Sequence, residues 1–212
     1  MKNIDDITYN EIFNHNCYQK FVDVEDGDFV LDLGCSQGPF FFRNRDKKIT
    51  YVGVDASINC IKDFYSNLDE GDSPVIINSF LSDELSVLPF EWYIYDTPPR
   101  EINSITFPSL LKMINKKIDF LKFDIEAYEK LILVDHYDLF KNAVKKFAGE
   151  IHFGAQSIFL REDVYRMLEN LKNDPEVFFR LYALDGVDIT DSFGERKNFF
   201  TEIIINGYIQ KS

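Results

Sequence analysis

Carboxylates, one lysine and one histidine stand at or near the ends of short apolar runs in this chain. Asp32 lies inside Val30-Leu31-Asp32-Leu33, which runs into Gly34-Cys35-Ser36-Gln37-Gly38. A carboxylate within an apolar strand is costly unless hydrogen bonds reach it. Asp32 is therefore expected to accept bonds from loop amides or to meet a ligand amine. Gly34 and Gly38, flanking Cys35, would let the backbone turn sharply and approach a ligand. Asp55 ends the next apolar run, Thr50-Tyr51-Val52-Gly53-Val54, and is followed by Ala56. An acidic side chain there can accept both hydroxyls of a ribose, each charge-assisted bond contributing roughly 1.5–3 kcal/mol. In Phe80-Leu81-Ser82-Asp83 the polar pair can reach an adenine amino group, with Leu81 on the ring face. The same residues suit an ordinary turn or helix cap.

The phosphate-cradling pattern G-x-G-x-x-G is absent, because Cys35-Ser36 stands where its second glycine would be. That glycine lets the backbone close on a pyrophosphate. Its absence favours a nucleoside without one, such as S-adenosylmethionine. Taken alone, Gly34 and Gly38 are equally compatible with a tight strand-to-helix turn that binds nothing.

A second group of ionisable residues follows. Strand alternation puts Phe120, Lys122, Asp124 and Glu126 on one face, and Ala148, Glu150 and His152 on one face of a later run. If these strands are neighbours, the charged residues cluster at one sheet edge. A lysine in a buried strand needs a counter-ion, and Asp124, Glu126 and Glu150 are the candidates. Asp124 or His152 can serve as a general base, with Glu126 orienting. A structural reading is also open, in which Lys122 pairs with one carboxylate while Glu126 and Glu129 complement a helix starting near Ala127. Asp124, Glu126, Glu150 and His152 could instead hold Mg²⁺ or Mn²⁺, although their spacing matches no specific metal motif and no metal is assigned. His15 and His136 have no such context.

These residues need a scaffold. The chain has 212 residues, 45% of them apolar and 16% aromatic, enough for one large core. That excludes a disulfide-held mini-protein and a disordered chain. The net charge of −13 repels phosphate backbones and anionic lipid, so neither nucleic acid nor membrane is expected as a partner. Cys17, Cys35 and Cys60 are odd in number and widely spaced, consistent with a reducing cytoplasm. The start has no secretory h-region, and no apolar run approaches the length of a membrane span. A single domain is expected over residues 1–212, with a short helical lead-in within 1–26. Buried strands are expected at 29–33, 50–54, 75–80, 118–125 and 146–153, with helices between them, and a short extra strand at 92–95. Strand-like runs at 177–184 and 198–205 are separated too briefly for a helical crossover, so they should pair antiparallel. This predicts an α/β fold with a mostly parallel seven-stranded sheet and ligands at the carboxyl ends of its strands.

At these residues the sequence resembles the class I S-adenosylmethionine-dependent methyltransferases, whose fold is Rossmann-like, and the FkbM family most. The matching stretches are Val30 to Gly34 with Gly38, Tyr51 to Ala56, and Ser104-Ile105-Thr106 with Leu110-Leu111. The most family-specific is the K-x-D-x-E-G-x-E type pattern from Lys122 to Glu129. The similarity runs from about Gly27 to Phe153. The chain departs from the family at Cys35-Ser36-Gln37 and at Ala127, where the family usually has glycine. The resemblance implies O-methylation of a hydroxyl on a sugar or another small molecule. A nicotinamide-dependent oxidoreductase and a non-catalytic protein that kept the fold are the rivals.

Overall fold

A computed structural model describes residues 4, 6–85, 87–90, 100–153, 160–193 and 202–211. The lead-in is not one helix. It is a helical turn α1 (Asp6–Tyr9), a π-helical turn over Asn10–Asn14 and a 3-10 turn over Cys17–Gln19. Then come β1 (Phe29–Leu33), α2 (Pro39–Asn44), β2 (Thr50–Asp55), α3 (Ile58–Ser66) and β3 (Val75–Asn78). Pro39 opens α2 from its first turn, where its missing N–H costs nothing. Ser57 caps α3 by accepting a bond from the Cys60 amide. The third expected strand splits after Asn78. Phe80 and Leu81 form β4, which joins β5 (Val87–Phe90) and β6 (Arg100–Ile105) in a small separate sheet, order β4-β6-β5. The expected strand at 92–95 lies outside the described residues.

The second half supplies α4 (Phe107–Ile114), β7 (Ile118–Phe123), a π-helical turn over Leu131–Asp135, α5 (Tyr137–Ala143), β8 (Val144–His152), α6 (Arg161–Asn173), β9 (Val177–Tyr182) and β10 (Glu202–Ile209). The main sheet has seven strands in the order β3-β2-β1-β7-β8-β10-β9. β3, β2, β1, β7 and β8 pair parallel, and β10 pairs antiparallel with both β8 and β9. The mixed sheet expected from the sequence is therefore present. The last run continues to Ile209, and its expected start lies outside the described residues.

All five residues of β1 are buried, because helices cover both faces of the sheet. Alternation sorts them. Leu31 and Leu33 enter a core shared with Phe107, Leu110, Phe140 and Val164, which lie on α4, α5 and α6. Val30 enters a second core with Phe40, Phe41, Tyr51 and Phe64 under the lead-in, α2 and α3. Asn206, fully buried in the middle of β10, ties the lead-in to the sheet. Its amide donates to the Cys17 carbonyl (3.0 Å) and accepts from the Lys20 N–H (3.1 Å). Among the described residues, no helix is long and apolar enough to cross a membrane.

Candidate active site

Parallel strands leave their carboxyl ends on one side, and a cavity of about 560 Å³ opens there. Leu33, Gly34, Ser36, Val54, Asp55, Ala56, Ser57, Phe80 and Leu81 line one part of it. Lys122, Asp124, Ile125, Glu126 and Tyr128 line another. The lead-in contributes Thr8, Glu11, Ile12 and Tyr18. Sequence reasoning missed these four, because nothing in a loosely amphipathic segment reveals which strand ends it will cover.

Asp55 is anchored by the two loops it joins. Its Oδ2 accepts from the Ser36 N–H and its Oδ1 from the Ser57 N–H, each at 2.7 Å. Burial pushes the carboxyl up to about 6, against the lowering effect of those two amides. Gly34 has φ +76°, and a Cβ there would lie 1.8 Å from the Asp124 carbonyl oxygen, so β1 and the end of β7 touch through a residue without a side chain. Gly38 has φ +84°, and a Cβ there would enter the Phe64 ring at 2.6 Å. Its need is packing on α3. Of the expected cofactor residues, Gly34, Asp55, Ala56 and Leu81 stand on the cavity wall. Cys35 is buried beside Gly53. Ser82 is buried and donates to Asp83. Asp83 is exposed outside the lining, and Cys35, Gly38 and Ser82 stand behind the wall.

Asp32 also stands behind it, fully buried. It accepts from the Tyr51 hydroxyl, and its Oδ1 lies 3.2 Å from Lys122 Nζ. The expected loop amides are not its partners among the described residues, and Asp32 does not reach the cavity wall. Lys122 in turn departs from the expected pairing. Its closest carboxylate is Asp32, its in-register neighbour on β1, and its ammonium also donates to the Gly34 carbonyl at 2.7 Å. Asp124 is farther, at 3.8 Å. The lysine clamps the glycine turn to β7.

The expected charged cluster assembles because β7 and β8 are neighbours in register, Lys122 opposite Ala148. His152 Nε2 lies 3.9 Å from Asp124 Oδ1, 3.7 Å from Glu126 Oε2 and 3.5 Å from Glu150 Oε1. Its Nδ1 lies 3.3 Å from Glu129 Oε1. Glu129 is fully buried and also accepts from the Ile125 N–H at 2.9 Å, so it is an anchor for two loops. The expected helix near Ala127 begins at Glu129 and runs on into the turn over Leu131–Asp135. Glu126 and Ala127 have φ +54° and +80°, a left-handed turn that carries the chain over the cavity rim. The Tyr18 hydroxyl donates to Asp124 Oδ2 (3.0 Å) and lies 3.4 Å from Glu150 Oε2. Burial would depress the His152 imidazole, but its bond to Glu129 and the charges of Glu129, Asp124 and Glu150 raise it to about 10. Burial, and next the charge of Asp124, raises Glu150. Of the two expected bases, Asp124 lines the cavity, while His152 stands among four carboxylates.

Solved structures of methyltransferases share this fold. A candidate rRNA methylase from Clostridium thermocellum superposes with a TM-score of 0.55 at 13% identity, covering 97% of this chain and 94% of its own. An rRNA methylase from Streptococcus thermophilus gives 0.54 at 9% identity with both chains fully covered. The plantazolicin methyltransferase BpumL in complex with SAH gives 0.51 at 10% identity, covering 96% and 83%. This is the class I methyltransferase fold. No family model matches the sequence, and no curated protein matches it. Likeness at these identities speaks for the fold, and the chemistry has to be argued from the side chains.

Proposed function

We propose that this single-domain chain is a cytoplasmic S-adenosylmethionine-dependent methyltransferase, FkbM-like, that methylates a hydroxyl of a small molecule, carbohydrates included. One observation carries the reading: the strand-end cavity has one carboxylate, Asp55, held between two loops in one part and another, Asp124, beside the charged cluster in another. Each Asp55 oxygen accepts one backbone amide and keeps a lone pair for one ribose hydroxyl. Val54, Phe80 and Leu81 offer apolar surface to a purine. The residues present therefore fit the cofactor, and the likeness to an SAH-bound methyltransferase supports it.

S-adenosylmethionine supplies a methyl group on a sulfonium. Positive charge leaves the sulfur during transfer, so carboxylates nearby favour the bound donor more than the transition state. The protein must gain rate elsewhere. Holding the acceptor oxygen in line can supply roughly 7–11 kcal/mol. Taking the hydroxyl proton adds about 10²–10⁴-fold. Asp124 accepts that proton as the oxygen–methyl bond forms and the methyl–sulfur bond breaks with its electron pair staying on sulfur. Tyr18 fixes the Asp124 carboxylate, and Glu126, on the rim, orients the acceptor.

Asp124→Asn should abolish turnover while leaving donor affinity nearly intact; wild-type turnover in that variant would remove Asp124 from the mechanism. Calorimetry with S-adenosylmethionine and with NAD separates this reading from an oxidoreductase, which the missing second glycine disfavours. The solved methyltransferases of similar fold include rRNA methylases. For this chain, the charge of −13 and the carboxylates around the acceptor end disfavour a polyanionic acceptor.

A further inference from the structure

We infer that Asp124, Glu150 and His152 form a divalent-cation site at the acceptor end of the cavity, which takes Mn²⁺ or Mg²⁺ and, through it, the oxygens of a hydroxyl or vicinal diol. The acceptor half of this statement rests on the methyltransferase reading; the cation site stands on its own geometry. One ligand atom from each of the three residues lies within 4.8 Å of the other two. From His152 Nε2 the separations are 3.5 Å to Glu150 Oε1 and 3.9 Å to Asp124 Oδ1. Atoms bound to one cation at about 2.0–2.2 Å stand about 3–4 Å apart. Charged hydrogen bonds would be shorter, at about 2.7–2.9 Å.

The far atom of each residue is held by a neighbour. Asp124 Oδ2 and Glu150 Oε2 both face the Tyr18 hydroxyl, at 3.0 and 3.4 Å. His152 Nδ1 faces the carboxylate of Glu129, at 3.3 Å. This leaves one atom of each residue for the shared space among the three. Ligands steadied from behind in this way, above all a histidine on a carboxylate, are the outer-shell pattern of metal sites. Glu126 Oε2, 3.7 Å from Nε2, approaches from the cavity side as a further oxygen ligand. The lysine nearest the cluster, Lys122, is committed to Asp32 and the Gly34 carbonyl. Its charge is thus shared with a carboxylate outside the cluster. Oxygen-rich ligands with one imidazole suit Mn²⁺ and Mg²⁺.

The test uses the full chain, freed of metal by EDTA and dialysis, with MnCl₂ as the probe. Titration calorimetry should find a specific Mn²⁺ site, and pulsed electron paramagnetic resonance should show ¹⁴N coupling from an imidazole. His152→Gln should remove that coupling, and Glu150→Gln should weaken binding about tenfold or more. Circular dichroism melts confirm that each variant is folded. Absence of Mn²⁺ binding at millimolar concentration overturns the inference. So does binding without ¹⁴N coupling, or binding that Glu150→Gln leaves unchanged. S-adenosylmethionine is titrated into the same metal-free sample. Donor binding without Mn²⁺ binding defeats the cation site alone, and Mn²⁺ binding without donor binding defeats the methyltransferase reading alone.

Discussion

Asp55 sits where two opposing pH effects meet. Burial raises its carboxyl to about 6 in the folded chain, above its unfolded value of about 3.9. In the free protein its contribution to stability is present below that unfolded value and is lost as pH rises through about 6. Donor binding has the opposite sign, because two ribose hydroxyls need an ionised acceptor. S-adenosylmethionine affinity should therefore fall on acidification with a midpoint near pH 6, and Asp55→Asn should be weak and flat across that range. Calorimetry at stepped pH checks both. Ala127 gives a second residue-scale prediction. Its φ of +80° is glycine territory, and a non-glycine residue there costs about 1–3 kcal/mol. Part of that returns as unfolded-state entropy on substitution. Ala127→Gly should raise stability by about 1 kcal/mol and Tm by about 2–4 °C, read by a thermal melt. A residue's type suggested Asp55 because a strand end with a carboxylate is a local pattern. Asp32 was harder: its partner, Lys122, is set by the register of β1 on β7, which no local pattern contains.

Elements succeed or fail here through a few close approaches. The turn after β1 crosses β7 at Gly34, where any Cβ would meet a backbone oxygen. Backbone cannot yield as a side chain can, so Gly34→Ala should cost more than about 3 kcal/mol. Chemical denaturation will measure it, and a near-neutral result would contradict the packing of β1 on β7. The parallel strands were readable because their apolar runs are continuous, as burial on both faces demands. The charged cluster followed from alternation once β7 and β8 were assumed to be neighbours; the pairing itself is shown by the structure. The lead-in was not readable. Its short turns owe their form to contacts with β10 and α2, and Tyr18 reaches Asp124 only through them. Nor was the split after Asn78, where the chain leaves one sheet for another.

At the scale of the molecule, an excess of 36 acidic over 23 basic residues makes the folded chain repel itself. Raising NaCl from about 10 to 300 mM shrinks the screening length, so Tm should rise; a fall would mean that the ion pairs on its surface outweigh the net charge. The three cysteines are all buried thiols, so no crosslink contributes to that balance. Asn206 links distant ends of the sequence, holding residues 17 and 20 from within β10. That stitch sets an order of events during synthesis. β10 is the last described strand to leave the ribosome, and until it does the segment bearing Tyr18 lacks the Asn206 tether and has only α2 and β8 to dock against. A nascent chain would carry a loosely roofed pocket, and its cover would be fixed only with completion of that strand.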